Sequence, residues 1–461
     1  MSLLAIELND VDLQSGDGSA ARSHGPGIAL LDPEGLLLGE AARAQARLRP
    51  RRVVDRYWAD LSMQTLPHPT AYAATFADLA YAQLESVWEE RPAETDGVLL
   101  VVPGSFPREA LGLILGMAQE LSMPVRGLVD AAIASTVASA PGADLFHLDF
   151  FQHEALLTRL EQGHRLSRGT QLQIPEAGVS RLRAAWVSAA AEAFVSQTRF
   201  DPLHDAASEQ QLYDGLHAWL AALETGEEVQ MSVNFRGDDM TASLAREAVL
   251  RQATPAWRAV LGGLDELRGE GRPAVVNVAA RGGHLTGLLD TLGSVGRATV
   301  TCLEAGAPLR GVLERSGSVL SPDGEVRYIT QLPALSVADF EVAAPAPAPE
   351  LEADLPTHLL LEAHAYPVGE AGVIVGTRPP ADRPGIRVTG QTSGISRQHC
   401  LVRRENGVLI VEDQSRYGTF VNGERVEARL PLRIGDHLRI GSPGRELLAI
   451  ALRDTGDDHA S

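Results

Sequence analysis

Ile395-Ser396-Arg397-Gln398-His399, followed after one strand-like run by Asp413-Gln414-Ser415-Arg416-Tyr417-Gly418-Thr419-Phe420-Val421-Asn422-Gly423, decides how the C-terminal part of this 461-residue chain is read. Around it lie short apolar runs, Val373-Ile374-Val375, Cys400-Leu401-Val402, Val408-Leu409-Ile410-Val411 and Leu447-Leu448-Ala449-Ile450, bounded by Gly, Asn, Asp and Pro. Runs of this length separated by turn residues predict an all-β sandwich. Asn422-Gly423 predicts a tight hairpin, because both residues tolerate positive φ. Arg397 offers a planar fork that matches phosphate oxygens, Ser396 a hydroxyl donor and Arg416 a second cation on the neighbouring loop. Charge-assisted hydrogen bonds from all three can converge on one anion.

The charge distribution agrees. Residues 357–453 hold 13 Arg against 10 Asp plus Glu, a net of +3, in a chain of net charge −20. The tail from Asp454 contains three Asp, which leaves −20 on residues 1–356. A mildly basic module tied to a strongly acidic body points to the module as the part that receives an anion.

The order and spacing of these turns resemble the forkhead-associated (FHA) family, a β-sandwich whose loops at one end bind phosphothreonine. The resemblance covers about residues 357 to 453. It implies phosphate contacts from Ser396, Arg397, Arg416 and Tyr417, and a role for Asn422 in orienting the peptide backbone. His399, Gly376, Gly418, Thr419 and Gly423 resemble structural positions. The family places Arg directly after the Gly of the first turn, whereas here Gly376 is followed by Thr377 and only then by Arg378. Either the turn holds an extra residue and Arg378 makes the contact, or Thr377 replaces it. The implied partner is a phosphothreonine-containing protein, modified by an upstream serine/threonine kinase. The competing reading of this segment is a sandwich that kept its turns and lost its ligand.

Composition bounds the remainder. At 44% hydrophobic residues, the chain suits two or three domains with ordinary cores. Net charge −20 disfavours nucleic acid as a partner. Cys302 and Cys400 stand far apart without metal-ligand spacing, which predicts a reducing compartment and no disulfide framework. The first residues, with Glu7, Asp10 and Asp12, lack the basic start and apolar run of an ordinary signal peptide, and no run of about 18 apolar residues predicts a membrane span. A cytoplasmic, bacterial protein is the expectation. All 40 basic residues are Arg. A P-loop and a protein kinase both need a Lys on their phosphates, so neither enzyme class is open to this chain.

Residues 341–356 combine Ala-Pro repeats with acidic residues and read as an extended linker, and residues 454–461 as an acidic tail. Before the linker, strands are predicted at 3–8, 28–31, 98–102, 145–151, 229–235 and 274–278. Helices are predicted at 70–91, 107–122, 176–197, 206–224 and 239–268, the last with a break near Thr254-Pro255. Two strand-rich openings, at the start and near 145, each followed by helices, predict a duplicated, two-lobed α/β body over residues 1–340.

That body resembles the actin and heat-shock-chaperone ATPase superfamily, a duplicated ribonuclease-H-like fold. The likeness rests on Ala5-Ile6-Glu7-Leu8, on the segment 101–108 with the following helix and 125–132, and on Leu148-Asp149-Phe150 as the second phosphate strand. Gly282-Gly283 resembles the adenosine turn. Phosphate loops of that family need glycine turns so that backbone N–H groups reach the phosphate. Here Leu8-Asn9-Asp10-Val11 and Phe150-Phe151-Gln152-His153 stand in their place, and the family's lysine is absent. Glu7, Asp149, Gly282 and Gly283 are therefore read as degenerate nucleotide-site positions, without catalytic residues, resident metal or cofactor. His147, His153 and Glu154 are set aside as zinc ligands, because alternate strand faces separate His147 from Glu154. Ser105 is read as a turn residue, and the Arg-rich run from Arg47 to Arg56 as a solvated helix end. The overall expectation is a phosphothreonine-dependent signalling adaptor carrying a pseudo-ATPase, chaperone-like body. The alternative is a working ATP-dependent chaperone-like ATPase, using ATP and magnesium and regulated through the FHA module.

Overall fold

Two six-stranded sheets with one strand order organise residues 3–332 of the chain. The computed structural model describes residues 2–338 and 356–451, apart from Glu270, Pro322, Ala363, Gln391, Asn406, Gly407 and Pro443. The predicted linker, except Pro356, and the predicted acidic tail lie outside the described residues. The chain divides into two compact units, Met1–Ala343 and Ala344–Ser461.

In the N-terminal unit, β1 (Leu3–Glu7), β2 (Gln14–Gly16) and β3 (Arg22–Ser23) form an antiparallel meander. Strands β4 (Gly97–Val102) and β5 (Val125–Asp130) then add in parallel on the other side of β1. The second sheet repeats the scheme. Strands β6 (Asp144–Phe150), β7 (Ala155–Gln162) and β8 (Leu166–Ile174) form the meander, and β9 (Ala274–Val278) and β10 (Ala298–Cys302) add in parallel beside β6. Both sheets thus read 3-2-1-4-5. Residues 328–332 stitch them together: Tyr328–Ile329 extends the first sheet beside β5, and Gln331–Leu332 the second beside β8.

Side-chain alternation explains how the sheets bury both faces. On β4, Val98, Leu100 and Val102 join Leu4 and Ile6 against the helices Phe76–Glu89 and Arg108–Glu120. The intervening Leu99 and Val101 join Ala5, Leu145, Leu160 and Val275 in a core shared by the two sheets. On β6, Phe146, Leu148 and Phe150 face α2 (Val179–Thr198), α3 (Ala206–Leu223) and α4 (Arg246–Leu267). A period of two with both faces apolar is what a doubly covered sheet requires. The links that follow β5 and β10 carry α1 (Ala131–Ser135) and α5 (Ala307–Glu314), which cross so closely that a Cβ on Gly311 would land on the Ala134 carbonyl.

One prediction is corrected. Residues 238–245 are not the start of a helix but a strand, Asp238–Ala245, paired with Glu228–Phe235 through a tight turn at Arg236 (φ 56°) and Gly237 (φ 96°). Met231, Val233, Ala242 and Leu244 put their apolar side into the core. The helix then runs unbroken from Arg246 to Leu267 with Pro255 inside it. Its buried face, including Val249, Ala253, Trp257, Val260 and Leu264, offsets the hydrogen bond that the proline removes.

The C-terminal unit is the expected all-β sandwich. A six-stranded sheet built on His358–Leu361, Arg445–Ile450, His437–Ile440 and Thr419–Val421 faces a five-stranded sheet built on Val373–Gly376, Cys400–Glu405, Val408–Asp413 and Arg429–Leu432. Its core among the described residues includes Val375, Cys400, Val402, Leu409, Val411, Leu438, Ile440 and Ala449.

Candidate functional site

Three loops of the sandwich are bound into one surface by short hydrogen bonds. The backbone N–H groups of Thr377 and Arg378 donate to the carbonyls of Ser396 and Arg397, at 3.1 and 3.0 Å. Gly376 is needed for that approach, because a Cβ there would land on the Arg397 carbonyl. His399, fully buried, joins the second loop to the third. Its Nδ1 accepts from the Ser396 N–H at 3.0 Å, so Nε2 carries the proton and donates to the Gly418 carbonyl at 3.1 Å. Burial holds the ring's pKa below its ordinary value, opposed by the bond to Gly418. The neutral tautomer is the one the geometry needs.

The third loop is held from inside. Asp413 Oδ1 accepts from Ser415 N–H at 3.0 Å and from the Thr419 hydroxyl at 2.7 Å. Burial works against this carboxylate, but those hydrogen bonds outweigh it and keep its pKa below the usual range. Gly418, at φ 84°, donates to the Ser415 hydroxyl at 2.7 Å. The Arg416 N–H donates to Ser396 Oγ at 3.3 Å, which leaves the serine's own hydrogen available for an acceptor in solvent.

On this frame Arg378, Arg397 and Arg416 are all exposed, and their guanidiniums make no hydrogen bond or ion pair among the described residues. Tyr417 is exposed beside them. The first turn therefore brings both Thr377 and Arg378 against the second loop, with Thr377 half-buried and Arg378 outside. Asn422 is exposed. It sits at φ 51° in the hairpin turn with Gly423, at the far end of Thr419–Val421 from Gly418. Its amide is engaged within the fold, donating to Asp436 at 2.8 Å and accepting from the His437 N–H at 3.0 Å. These bonds lock the turn.

A second cluster lies at the strand ends of the N-terminal unit. Glu7, at the end of β1, and Asp149, near the end of β6, are buried and brought together by Arg281. Its guanidinium donates to Asp149 at 2.7 and 2.9 Å and to Glu7 at 2.6 Å. Burial pushes the Glu7 carboxyl above its ordinary range, opposed by Arg281 and assisted by Asp149. Gly282 and Gly283 let the Arg281 turn fold down, since a Cβ on Gly282 would meet Val278 at 2.6 Å and one on Gly283 would meet Cys302 Sγ at 2.7 Å. The loops after β1 and β6 bond directly to each other. Asn9 Nδ2 donates to the Phe150 carbonyl at 3.1 Å, Asp10 Oδ1 accepts from Gln152 N–H at 2.8 Å, and Gln152 Nε2 donates to the Asp10 carbonyl at 3.1 Å. Burial raises the Asp10 pKa to about 6. Arg281 bridges the two acids but leaves Glu7 Oε2 buried without a hydrogen-bond partner among the described residues, and bulky Leu8 and Phe151 line the neighbouring loops.

Sequence reasoning identified Glu7, Asp149 and the glycine pair but missed Arg281, the residue that joins them. The available signal was an unassigned cation beside those glycines. His147 is buried on β6 without a partner on either ring nitrogen among the described residues, and burial lowers its pKa to about 4. Among the described residues no group of three or more His, Cys, Asp or Glu is placed to hold a metal ion, and no helix is long and apolar enough to cross a membrane. The Arg-rich run is largely paired: Arg49 and Arg52 with Asp32, and Arg56 with Asp60.

Residues 373–441 match the family model of the FHA domain. The C-terminal sandwich is thus an FHA domain, a class of module that binds phosphothreonine-containing proteins. No curated protein matches the chain.

Proposed function

We propose that this protein is a phosphothreonine-dependent adaptor, docking through its FHA domain onto a partner phosphorylated by a serine/threonine kinase. The observation that carries this reading is the set of three exposed guanidiniums, Arg378, Arg397 and Arg416, held without acidic partners among the described residues on loops that His399 and Ser396 lock together. Phosphothreonine brings close to two negative charges and three strong acceptors to such a surface. Titration with matched threonine, phosphothreonine and phosphoserine peptides tests it. Arg397→Ala and Arg416→Ala should each weaken the phosphothreonine complex roughly ten- to a hundredfold, since a hydrogen bond to a charged group contributes about 1.5–3 kcal/mol. The complex should also weaken as salt rises. Equal affinity for phosphorylated and unphosphorylated peptide would remove the function.

The same reading takes the N-terminal unit as an actin-like, duplicated ribonuclease-H-type body that performs no ATP hydrolysis. It is supported by the repeated 3-2-1-4-5 strand order and by Arg281 standing where a cation would otherwise balance Glu7 and Asp149. Calorimetry with magnesium-ATP should detect no tight binding. Micromolar affinity together with turnover abolished by Asp149→Ala would favour the ATP-dependent alternative instead.

A further inference from the structure

The segment following residues 35–38 packs against α2 and α3, and between them lies a pocket of about 70 Å³ whose wall carries three guanidiniums, Arg43, Arg47 and Arg183. A single water needs roughly 10–15 Å³ of such space, so the pocket holds several waters or one compact oxyanion. Two of the three cations have local partners. Arg43 pairs with Glu40 at 2.6 Å, while Arg47 stacks 3.9 Å over the Tyr213 ring with Glu209 at 3.8 Å. Arg183 does not: it is half-buried on α2 and makes no hydrogen bond or ion pair among the described residues.

An unpaired guanidinium withdrawn from water is costly unless something neutralises it. Burial lowers the Arg183 pKa, and Arg43 and Arg47 push in the same direction, against Glu40 and Tyr213. Two carboxylates also line the pocket, and each has another contact. Asp214 accepts from Gln210 at 2.9 Å, and Asp55 lies 3.6 Å from His153. The wall is preorganised, because the Gln210 side chain accepts from the Arg47 N–H at 2.8 Å and donates to the Arg43 carbonyl at 3.1 Å, pinning the segment to α3.

We propose that this pocket binds a small oxyanion of phosphate size, with Arg183 as its principal donor and Arg43 and Arg47 flanking it. The site lies in the N-terminal unit and is independent of the FHA loops. A planar five-donor fork suits a tetrahedral oxyanion better than it suits chloride.

The test uses the full chain carrying Arg397→Ala and Arg416→Ala, so that the FHA loops contribute little phosphate affinity. Inorganic phosphate is titrated calorimetrically, and hydrogen exchange is followed over residues 179–223. Glycerol phosphate serves as a phosphomonoester arm and acetate as a carboxylate arm; a stronger response to either names the source of the group. Phosphate is expected to bind and slow exchange in α2 and α3, and Arg183→Gln to weaken binding about tenfold or more. If Arg183→Gln fails to fold, Arg43→Gln is expected to shift affinity in the same direction. Absence of phosphate-dependent protection, the same response to matched chloride, or unchanged affinity in the folded variants would overturn the proposal.

Discussion

His399 shows how one side chain turns loop sequence into loop geometry. It touches the Ser396 N–H with one nitrogen and the Gly418 carbonyl with the other, so two segments 19 residues apart share a single buried ring. His399→Ala would leave a buried donor and acceptor unpaired, at a cost of about 2–4 kcal/mol to the sandwich, and should weaken phosphopeptide binding through lost positioning. Arg397→Ala touches no such bond and should leave the melting temperature of the module nearly unchanged. The pH dependence has a definite sign. Because the folded-state pKa of His399 lies below its ordinary value of about 6.5, the unfolded chain binds the extra proton first. Its contribution is therefore complete above about pH 6.5 and lost as pH falls toward the folded pKa. Denaturant titrations of the wild type and His399→Ala between pH 5 and 8 should converge at the acid end. A gap that stays constant across this range would show that the neutral ring is not what the loops require.

At the scale of elements, legibility tracked the distance over which the determining contact acts. The FHA turns could be read because Asn422-Gly423, Ser415 to Gly418 and the alternating strands use local turn chemistry and a period of two. The hairpin at 228–245 was misread because Met240 and Leu244, four residues apart, satisfy a helical face as well as a strand face, and only pairing with Val233 and Val229 decides between them. Arg281 was illegible as a site residue because its partners lie 132 and 274 residues away. Crossing of α1 and α5 was equally hidden, and glycine tests it. Gly311→Ala drives a methyl into the Ala134 carbonyl and should destabilise the N-terminal unit by about 1–3 kcal/mol. Gly262→Ala, inside α4 with nothing within 4 Å, should stabilise it by about 0.5–1 kcal/mol. Urea melts of both variants check the pair. A neutral Gly311→Ala would mean that the two connecting helices do not need their close approach.

At the scale of the whole molecule, each unit has its own apolar core: among the described residues the FHA core draws on residues 359–449, and the cores of the N-terminal unit on residues before 339. Each unit is therefore expected to unfold about its own core, and calorimetry of the full chain to show two transitions. Single substitutions can assign them. Arg281→Ala leaves Glu7 and Asp149 buried without their cation and should lower the N-terminal transition by the equivalent of about 3–5 kcal/mol, with the FHA transition unmoved. His399→Ala should do the reverse. The Ala-Pro composition of residues 341–356 adds that limited proteolysis should cut there and release an FHA fragment that still melts at its own temperature and binds phosphopeptide. One cooperative transition displaced by both substitutions would mean that the units stabilise each other and that phosphopeptide binding at the FHA loops is energetically linked to the N-terminal body.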